Sequence, residues 1–131
     1  MILDTNAVSA LFQGEQGLEK ILQTSDKHHL PSIVIGEYRF GLLSSRKKKT
    51  LTKLLDRLKE ESTILGCDAE TAEHYAVIRH DLKKQGTPIP ENDIWIAALA
   101  NQHNLKIISR DTHFDYVKSV KNVGWQPQPK V

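Results

Sequence analysis

Short runs of apolar residues alternate along the chain with longer stretches in which apolar residues recur every three or four positions. Each short run ends at polar residues or glycine, which is the pattern of a buried β-strand. The sequence therefore predicts strands at residues 2–3, 63–65, 105–108 and 120–125.

The longer stretches have the spacing of amphipathic helices. Four leucines form the clearest stripe, Leu51, Leu54, Leu55 and Leu58. Ser32 precedes an apolar stretch that runs to Leu43, and we expect its hydroxyl to cap that helix by accepting a backbone hydrogen bond. Further helices are predicted around residues 18–22, over 69–82 and from residue 92 onward.

Strands and helices thus alternate through nearly the whole chain. This alternation is typical of a parallel sheet that helices cover on both faces. We therefore predict an α/β protein with a three-layer α/β/α fold around a central parallel sheet. The length of 131 residues suits one domain, residues 1–131.

Composition excludes some functions but selects none. Lys and Arg number 18 against 16 Asp and Glu, and this net charge of +2 is too small to indicate a nucleic acid by itself. The single cysteine, Cys67, excludes an internal disulfide and a Cys-rich zinc site, and we expect it to be buried as a small apolar side chain. No stretch approaches the roughly 20 apolar residues of a membrane span, so we expect a cytoplasmic protein.

Acidic residues follow two of the predicted strands. Asp4 comes directly after the first strand, and Asp111 follows the strand at 105–108 after two intervening residues. In parallel α/β sheets the carboxyl ends of the strands meet at one edge, where ligands bind. Asp93 lies near the start of the helix that leads back into the second of these strands, so we expect it to face the same edge.

A fourth acid, Glu37, occupies the middle of a predicted helix. Apolar residues lie three or four positions away from it, including Ile33, Val34 and Phe40, so Glu37 interrupts an apolar face. A carboxylate on a core-facing stripe is costly unless something neutralises it. A divalent cation would do so, because hard ions such as Mg²⁺ prefer oxygen ligands.

Each acid taken alone also has a plainer interpretation, which the sequence leaves open. Asp4 fits a turn that ends a strand, Asp93 a helix cap and Asp111 an Asx turn. Glu37 fits a solvated helix face. As a group, however, four acids brought to one place would repel one another without a cation.

These residues resemble the four acidic motifs of PIN domains. In chain order the motifs are Leu3-Asp4-Thr5-Asn6, Glu37 after an apolar helix opening, residues 92–98 and residues 109–114. Their order and spacing match over nearly the whole chain. Among PIN proteins the chain is most similar to the VapC- and FitB-type toxins of bacterial toxin–antitoxin pairs.

The resemblance implies a metal-dependent endoribonuclease that hydrolyses RNA phosphodiester bonds with Mg²⁺ or Mn²⁺. On this interpretation Asp4, Asp93 and Asp111 bind the metal directly or through water, and Glu37 helps to hold it or orients the attacking water. Neighbouring side chains would bond to these ligands or contact the scissile phosphate, namely Thr5, Asn6, Ser109 and Arg110.

The same resemblance implies protein partners. They are a cognate antitoxin whose C-terminal segment occupies the acidic groove, and a second copy of the chain in a homodimer. The leucine stripe, together with Tyr38, Phe40 and Leu43, which we expect to be exposed, offers more apolar surface than one small domain need bury.

Two other function classes fit parts of the pattern. A PIN-like module that binds RNA or protein without cutting would not need all four acids, and their presence counts against it. A phosphotransfer domain would need a further acid close to Asp4, whereas the sequence continues with Thr5 and Asn6.

Overall fold

A computed structural model describes residues 1–24 and 27–125. In chain order its elements are β1 (Ile2–Leu3), α1 (Thr5–Phe12), α2 (Leu18–Gln23), β2 (His28–Pro31), α3 (Ser32–Leu42), α4 (Lys48–Glu61), β3 (Ser62–Leu65), α5 (Ala69–Gln85), α6 (Glu91–His103), β4 (Ile107–Ile108), a 3₁₀ turn (Thr112–Tyr116) and β5 (Asn122–Val123).

The five strands form one parallel sheet in the order β3-β2-β1-β4-β5. The two central strands, β1 and β4, consist only of Ile and Leu residues that are fully buried, as expected for strands that helices cover on both faces. The predicted three-layer α/β/α fold with a central parallel sheet is therefore confirmed. The strand order reverses between β1 and β4, and such a switch point leaves a crevice at the carboxyl ends of the two strands.

The helices are positioned by their apolar faces and by their ends. In α4, Leu55 and Leu58 of the predicted stripe are buried. Helix α5 begins at a capping box in which Asp68 and Thr71 exchange hydrogen bonds. It ends at Gly86, whose φ of +72° suits a residue without a Cβ. Helix α6 is buried along most of its length, and no helix among the described residues is long and apolar enough to span a membrane.

Three local predictions were wrong. Ser32 does not cap α3, because the chain enters that helix through the extended Pro31 and Ser32 is already its first residue. Cys67 is exposed rather than buried, since it lies in the connection between β3 and α5. Tyr38 is only 8% exposed, because it packs edge-on against Phe12 with their ring centroids 5.5 Å apart.

Candidate metal centre

Asp4 lies at the switch point of the sheet and is 4% exposed. Its backbone N–H donates to the carbonyl of Ile108, which joins the end of β1 to the end of β4. Its carboxylate oxygen Oδ2 accepts a hydrogen bond of 2.7 Å from the hydroxyl of Ser109 and a longer one of 3.4 Å from the amide of Asn6. The orientation of the carboxylate is therefore fixed by residues from both central strand ends.

Asn6 and Ser109 also hold the loop after β4. The side-chain oxygen of Asn6 accepts a hydrogen bond from the backbone N–H of Arg110 at 3.1 Å, and Ser109 Oγ accepts one from the backbone N–H of Asp111 at 2.9 Å. These two polar side chains thus fix the spacing between Asp4 and Asp111. Hydrogen bonds of this kind orient the carboxylates of a metal site.

Asp93 reaches the same crevice from the first turn of α6 and is 8% exposed. Its Oδ2 lies 3.1 Å from Nδ1 of His113, and the same nitrogen lies 2.8 Å from Oδ1 of Asp111. A carboxylate oxygen of Asp93, a carboxylate oxygen of Asp111 and a ring nitrogen of His113 all lie within 4.8 Å of one another. The structure therefore brings together acids from α6 and from the loop after β4, close enough to Asp4 for its charge to raise the pKa of Asp93.

The electrostatics of the crevice favour a cation. Burial, reinforced by neighbouring acids, raises the pKa of Asp93 from 3.8 to about 6. Burial also raises the pKa of Asp4, and the charge of Asp111 adds to this effect. For His113, burial acts to lower the pKa, but Asp93 and Asp111 outweigh it and raise the pKa. Negative charge is therefore concentrated where water cannot fully solvate it.

Glu37 lies on α3 beside this cluster and is partly buried. Burial raises its pKa, and the charge of Asp4 raises it further, so the two carboxylates interact. Thr5 lies close enough to Glu37 to favour its charged form, yet the buried Thr5 hydroxyl forms no hydrogen bond of good geometry. The predicted apolar stripe around Glu37 is buried on one side only, because Val34 is fully buried whereas Phe40 is 78% exposed.

Two open grooves meet at Glu37. One, of about 670 Å³, runs between α1, α3 and the start of α4, with Thr5 and Lys47 on its walls. The other, of about 540 Å³, is lined by Phe40 and Asn92. An extended ligand lying along either groove would pass the Glu37 carboxylate.

Arg110 is directed away from the acids. Its guanidinium pairs with Glu15 and lies 4.6 Å from the ring centre of Trp125. The backbone N–H of Arg110, rather than its side chain, contributes to the site through Asn6. A direct contact between the Arg110 side chain and substrate would require these two interactions to break.

His113 lies within the fourth acidic motif, residues 109–114, but was not predicted as a site residue. A signal was nevertheless present, because His113 stands two residues after Asp111, and an Asp side chain often accepts a hydrogen bond from the backbone N–H two residues later. This bond is formed here at 3.0 Å and turns the histidine back towards Asp111.

The donor set fits a divalent cation. Asp93 and Asp111 supply oxygen atoms close to one another, and Asp4 and Glu37 add carboxylates whose charges interact with this cluster or with each other. Oxygen atoms suit Mg²⁺ and Mn²⁺. In the described part of the chain, no Lys or Arg forms an ion pair with any of these four acids. Burial raises the pKa of three of them, and the charge of His113 offsets this only in part for Asp4 and Asp93.

Comparison with known proteins agrees with this geometry. The PIN-domain family matches residues 1–120. Ribonuclease VapC2 of Haemophilus influenzae is 29% identical over 127 residues, covering 95% of this chain and 96% of that protein. Toxin FitB of Neisseria gonorrhoeae is 34% identical over 125 residues, covering 86% of this chain and 88% of that protein.

Solved structures show the same fold. VapBC2 from Rickettsia felis, bound to a DNA fragment from its promoter, superimposes with a TM-score of 0.85 at 23% identity, covering 95% of this chain and 98% of that one. VapBC-5 from Mycobacterium tuberculosis, a member of the VapBC family of toxin–antitoxin systems, gives 0.78 at 26% identity and covers 94% and 96% of the two chains. With its acidic motifs in order and its central sheet in place, this chain belongs to the PIN-domain family, alongside toxins of the VapC and FitB type.

Proposed function

We propose that the chain is a metal-dependent endoribonuclease, a single PIN domain over residues 1–131 that serves as the toxin of a toxin–antitoxin pair. The observation that carries the proposal is the convergence of Asp4, Asp93 and Asp111 at the switch point of the sheet. Relatives of the chain that share this length are named ribonucleases or toxins. A cytoplasmic location, where cellular RNA is found, would suit this substrate.

In this proposal Asp4, Asp93 and Asp111 hold Mg²⁺ or Mn²⁺. When bound, the cation offsets the charge of the carboxylates and the negative charge that develops on the phosphate during hydrolysis. Glu37 stands at the mouth of the grooves with a raised pKa, which suits a carboxylate that orients a water molecule and accepts its proton. Asn6 and Ser109 keep Asp4 in position and do not react.

The substrate would approach along the grooves that meet at Glu37. The groove between α1, α3 and α4 carries Lys47 at its rim, and Lys48 and Lys49 follow on an exposed helix start. Cationic side chains of this kind contact the phosphate backbone without reading its sequence. The choice of RNA would then depend on the shape of the substrate rather than on a motif in this chain.

A second copy of the chain and an antitoxin are the proposed protein partners. Phe40 and Leu43 on and just after α3 are 78% and 68% exposed, so they supply the apolar surface that a homodimer would bury. The antitoxin segment would lie in the groove beside Glu37, where it would compete with RNA. A basic or aromatic segment would suit the negative charge found there.

A module that binds RNA without cutting it is a weaker candidate. Binding the phosphate backbone calls for positive charge, whereas this crevice concentrates buried carboxylates. The raised pKa values of Asp4 and Asp93 instead indicate that a bound cation would stabilise their charged forms.

Cleavage of RNA by the purified protein tests the proposal. Structured RNA should be cut in the presence of Mg²⁺ or Mn²⁺, and EDTA should stop the reaction. Asp4→Asn should lose at least about a hundredfold in rate, because an amide binds a hard cation far less well than a carboxylate. Asp56→Asn, at an exposed position on α4, makes the same chemical change away from the site and should retain full activity.

Cleavage that persists in excess EDTA, or in Asp4→Asn, would contradict the proposed mechanism. The antitoxin assignment needs a separate experiment. Co-expression with the small protein encoded next to this gene should yield a complex in which cleavage is suppressed. If that protein neither co-purifies nor inhibits, the toxin–antitoxin role fails while the nuclease activity can still stand.

A further inference from the structure

His113 contributes a nitrogen atom to a centre whose other donors are carboxylates. Its Nδ1 lies 2.8 Å from Oδ1 of Asp111 and 3.1 Å from Oδ2 of Asp93. The family resemblance assigns the site to four acids and gives this histidine no role. The contact is an observation of the structure and does not follow from the resemblance.

These two distances match neighbouring ligands around one metal ion. In octahedral coordination with metal–ligand distances of about 2.1 Å, adjacent ligand atoms lie about 3.0 Å apart, which is the metal–ligand distance multiplied by the square root of two. The separations between Nδ1 and the two carboxylate oxygens, 2.8 and 3.1 Å, lie on either side of this value. Both separations are therefore compatible with Nδ1 and the carboxylate oxygen being adjacent ligands in an octahedral shell.

Hydrogen bonding alone accounts less completely for the same contacts. Nδ1 of a histidine carries at most one hydrogen, and that hydrogen cannot point at two carboxylate oxygens with good geometry at once. A cation bound by the three atoms would accept a lone pair from each of them. The backbone of His113 is also held in place, because its N–H donates to Asp111 Oδ1 at 3.0 Å and the residue lies in the 3₁₀ turn.

We infer that His113 is a nitrogen ligand of this centre and that it biases the centre towards first-row transition ions such as Mn²⁺ over Mg²⁺. The inference rests on the proposed metal-dependent function and adds the identity of the preferred ion. Mg²⁺ takes oxygen ligands almost alone, whereas imidazole nitrogen is a good ligand for transition ions. Replacing one oxygen donor with nitrogen therefore weakens the case for Mg²⁺ and strengthens that for Mn²⁺.

Pulsed electron paramagnetic resonance of Mn²⁺ bound to the full-length protein tests the inference, because directly bound nitrogen-14 modulates the spin echo. The wild type and His80→Ala should both show this coupling, since His80 is exposed on α5, away from the crevice. His113→Asn should lose it. The asparagine amide can still donate a hydrogen bond near the position of Nδ1, so this variant removes the ligand while keeping a polar contact.

Calorimetric titration with each ion gives a second measurement that does not depend on cleavage. For His113→Asn, the dissociation constant for Mn²⁺ should rise at least about tenfold, while that for Mg²⁺ should change by less than about threefold. Mn²⁺ that binds the wild type without nitrogen coupling would overturn the inference and leave the proposed nuclease intact. Absence of any Mn²⁺ or Mg²⁺ binding to the wild type would overturn both.

Discussion

Asp93→Asn is expected to stabilise the metal-free protein while removing its activity, and the gain should depend on pH. The folded protein holds Asp93 with a pKa of about 6, against 3.8 for an unperturbed carboxyl. Because the folded pKa is raised, the folded state favours the protonated form. The stability associated with that proton is fully present below pH 3.8 and is lost as pH rises towards 6.

The size of the effect follows from the shift. A difference of about 2.2 pKa units, at 1.36 kcal/mol per unit, amounts to about 3 kcal/mol once Asp93 is fully ionised. At pH 5 ionisation of Asp93 destabilises the folded state by only about half of this amount, roughly 1.5 kcal/mol. Asparagine does not ionise, so the variant should exceed the wild type in Tm by roughly 10 °C at pH 8 and by roughly 5 °C at pH 5.

Thermal unfolding in EDTA, followed by circular dichroism at both pH values, measures this difference. The exposed Asp56 on α4 supplies the matched control, and Asp56→Asn should shift Tm little at either pH. Saturating Mn²⁺ should shrink or reverse the advantage of Asp93→Asn, because the cation stabilises only a folded state that binds it. If Asp93→Asn melts below the wild type in EDTA at pH 8, or if its advantage does not change with pH, the reasoning is refuted.

Three other changes separate the roles of neighbouring residues. Glu37→Gln should also raise Tm in EDTA while losing activity, because burial and Asp4 raise the pKa of Glu37; a fall in Tm would show that Glu37 makes structural hydrogen bonds instead. Arg110→Ala should lower the free energy of unfolding by about 1 kcal/mol, because its contacts with Glu15 and the Trp125 ring are lost. A loss of cleavage without a loss of stability would instead show that the Arg110 side chain contacts the substrate. Phe40→Ser should convert a homodimer to a monomer in light scattering at micromolar concentration, and a wild type that is already monomeric would contradict the dimer.

The positions of Asp4 and Asp111 could be predicted because each follows a strand that is wholly apolar. Short runs such as Ile2-Leu3 and Ile107-Ile108 are buried on both faces, and burial is what a sequence pattern records best. Strand β2 was not predicted, because it is not a wholly apolar run. Its residues His28 and His29 are polar, and its place in the sheet comes from pairing with β1 and β3 rather than from its own pattern.

The finer geometry of the site depends on contacts that no local pattern contains. Asp93 meets His113 across 20 positions of sequence, through the packing of α6 against the turn after β4. Arg110 is adjacent to Asp111 in sequence, but Asp111 has an extended backbone, in which successive side chains point in opposite directions. Arg110 therefore reaches Glu15 and Trp125 while Asp111 faces the crevice.

A single titration tests the central claim that these acids bind the cation on which cleavage depends. The rate at which the protein cuts a defined RNA should be measured against Mn²⁺ concentration, beside calorimetric binding of Mn²⁺ to the same preparation. We predict that cleavage reaches half its maximum at the dissociation constant of the ion, and that Asp111→Asn weakens binding and cleavage in parallel. Cleavage that is already maximal without added Mn²⁺ in the presence of EDTA, or binding that survives unchanged in both Asp4→Asn and Asp111→Asn, would contradict the account.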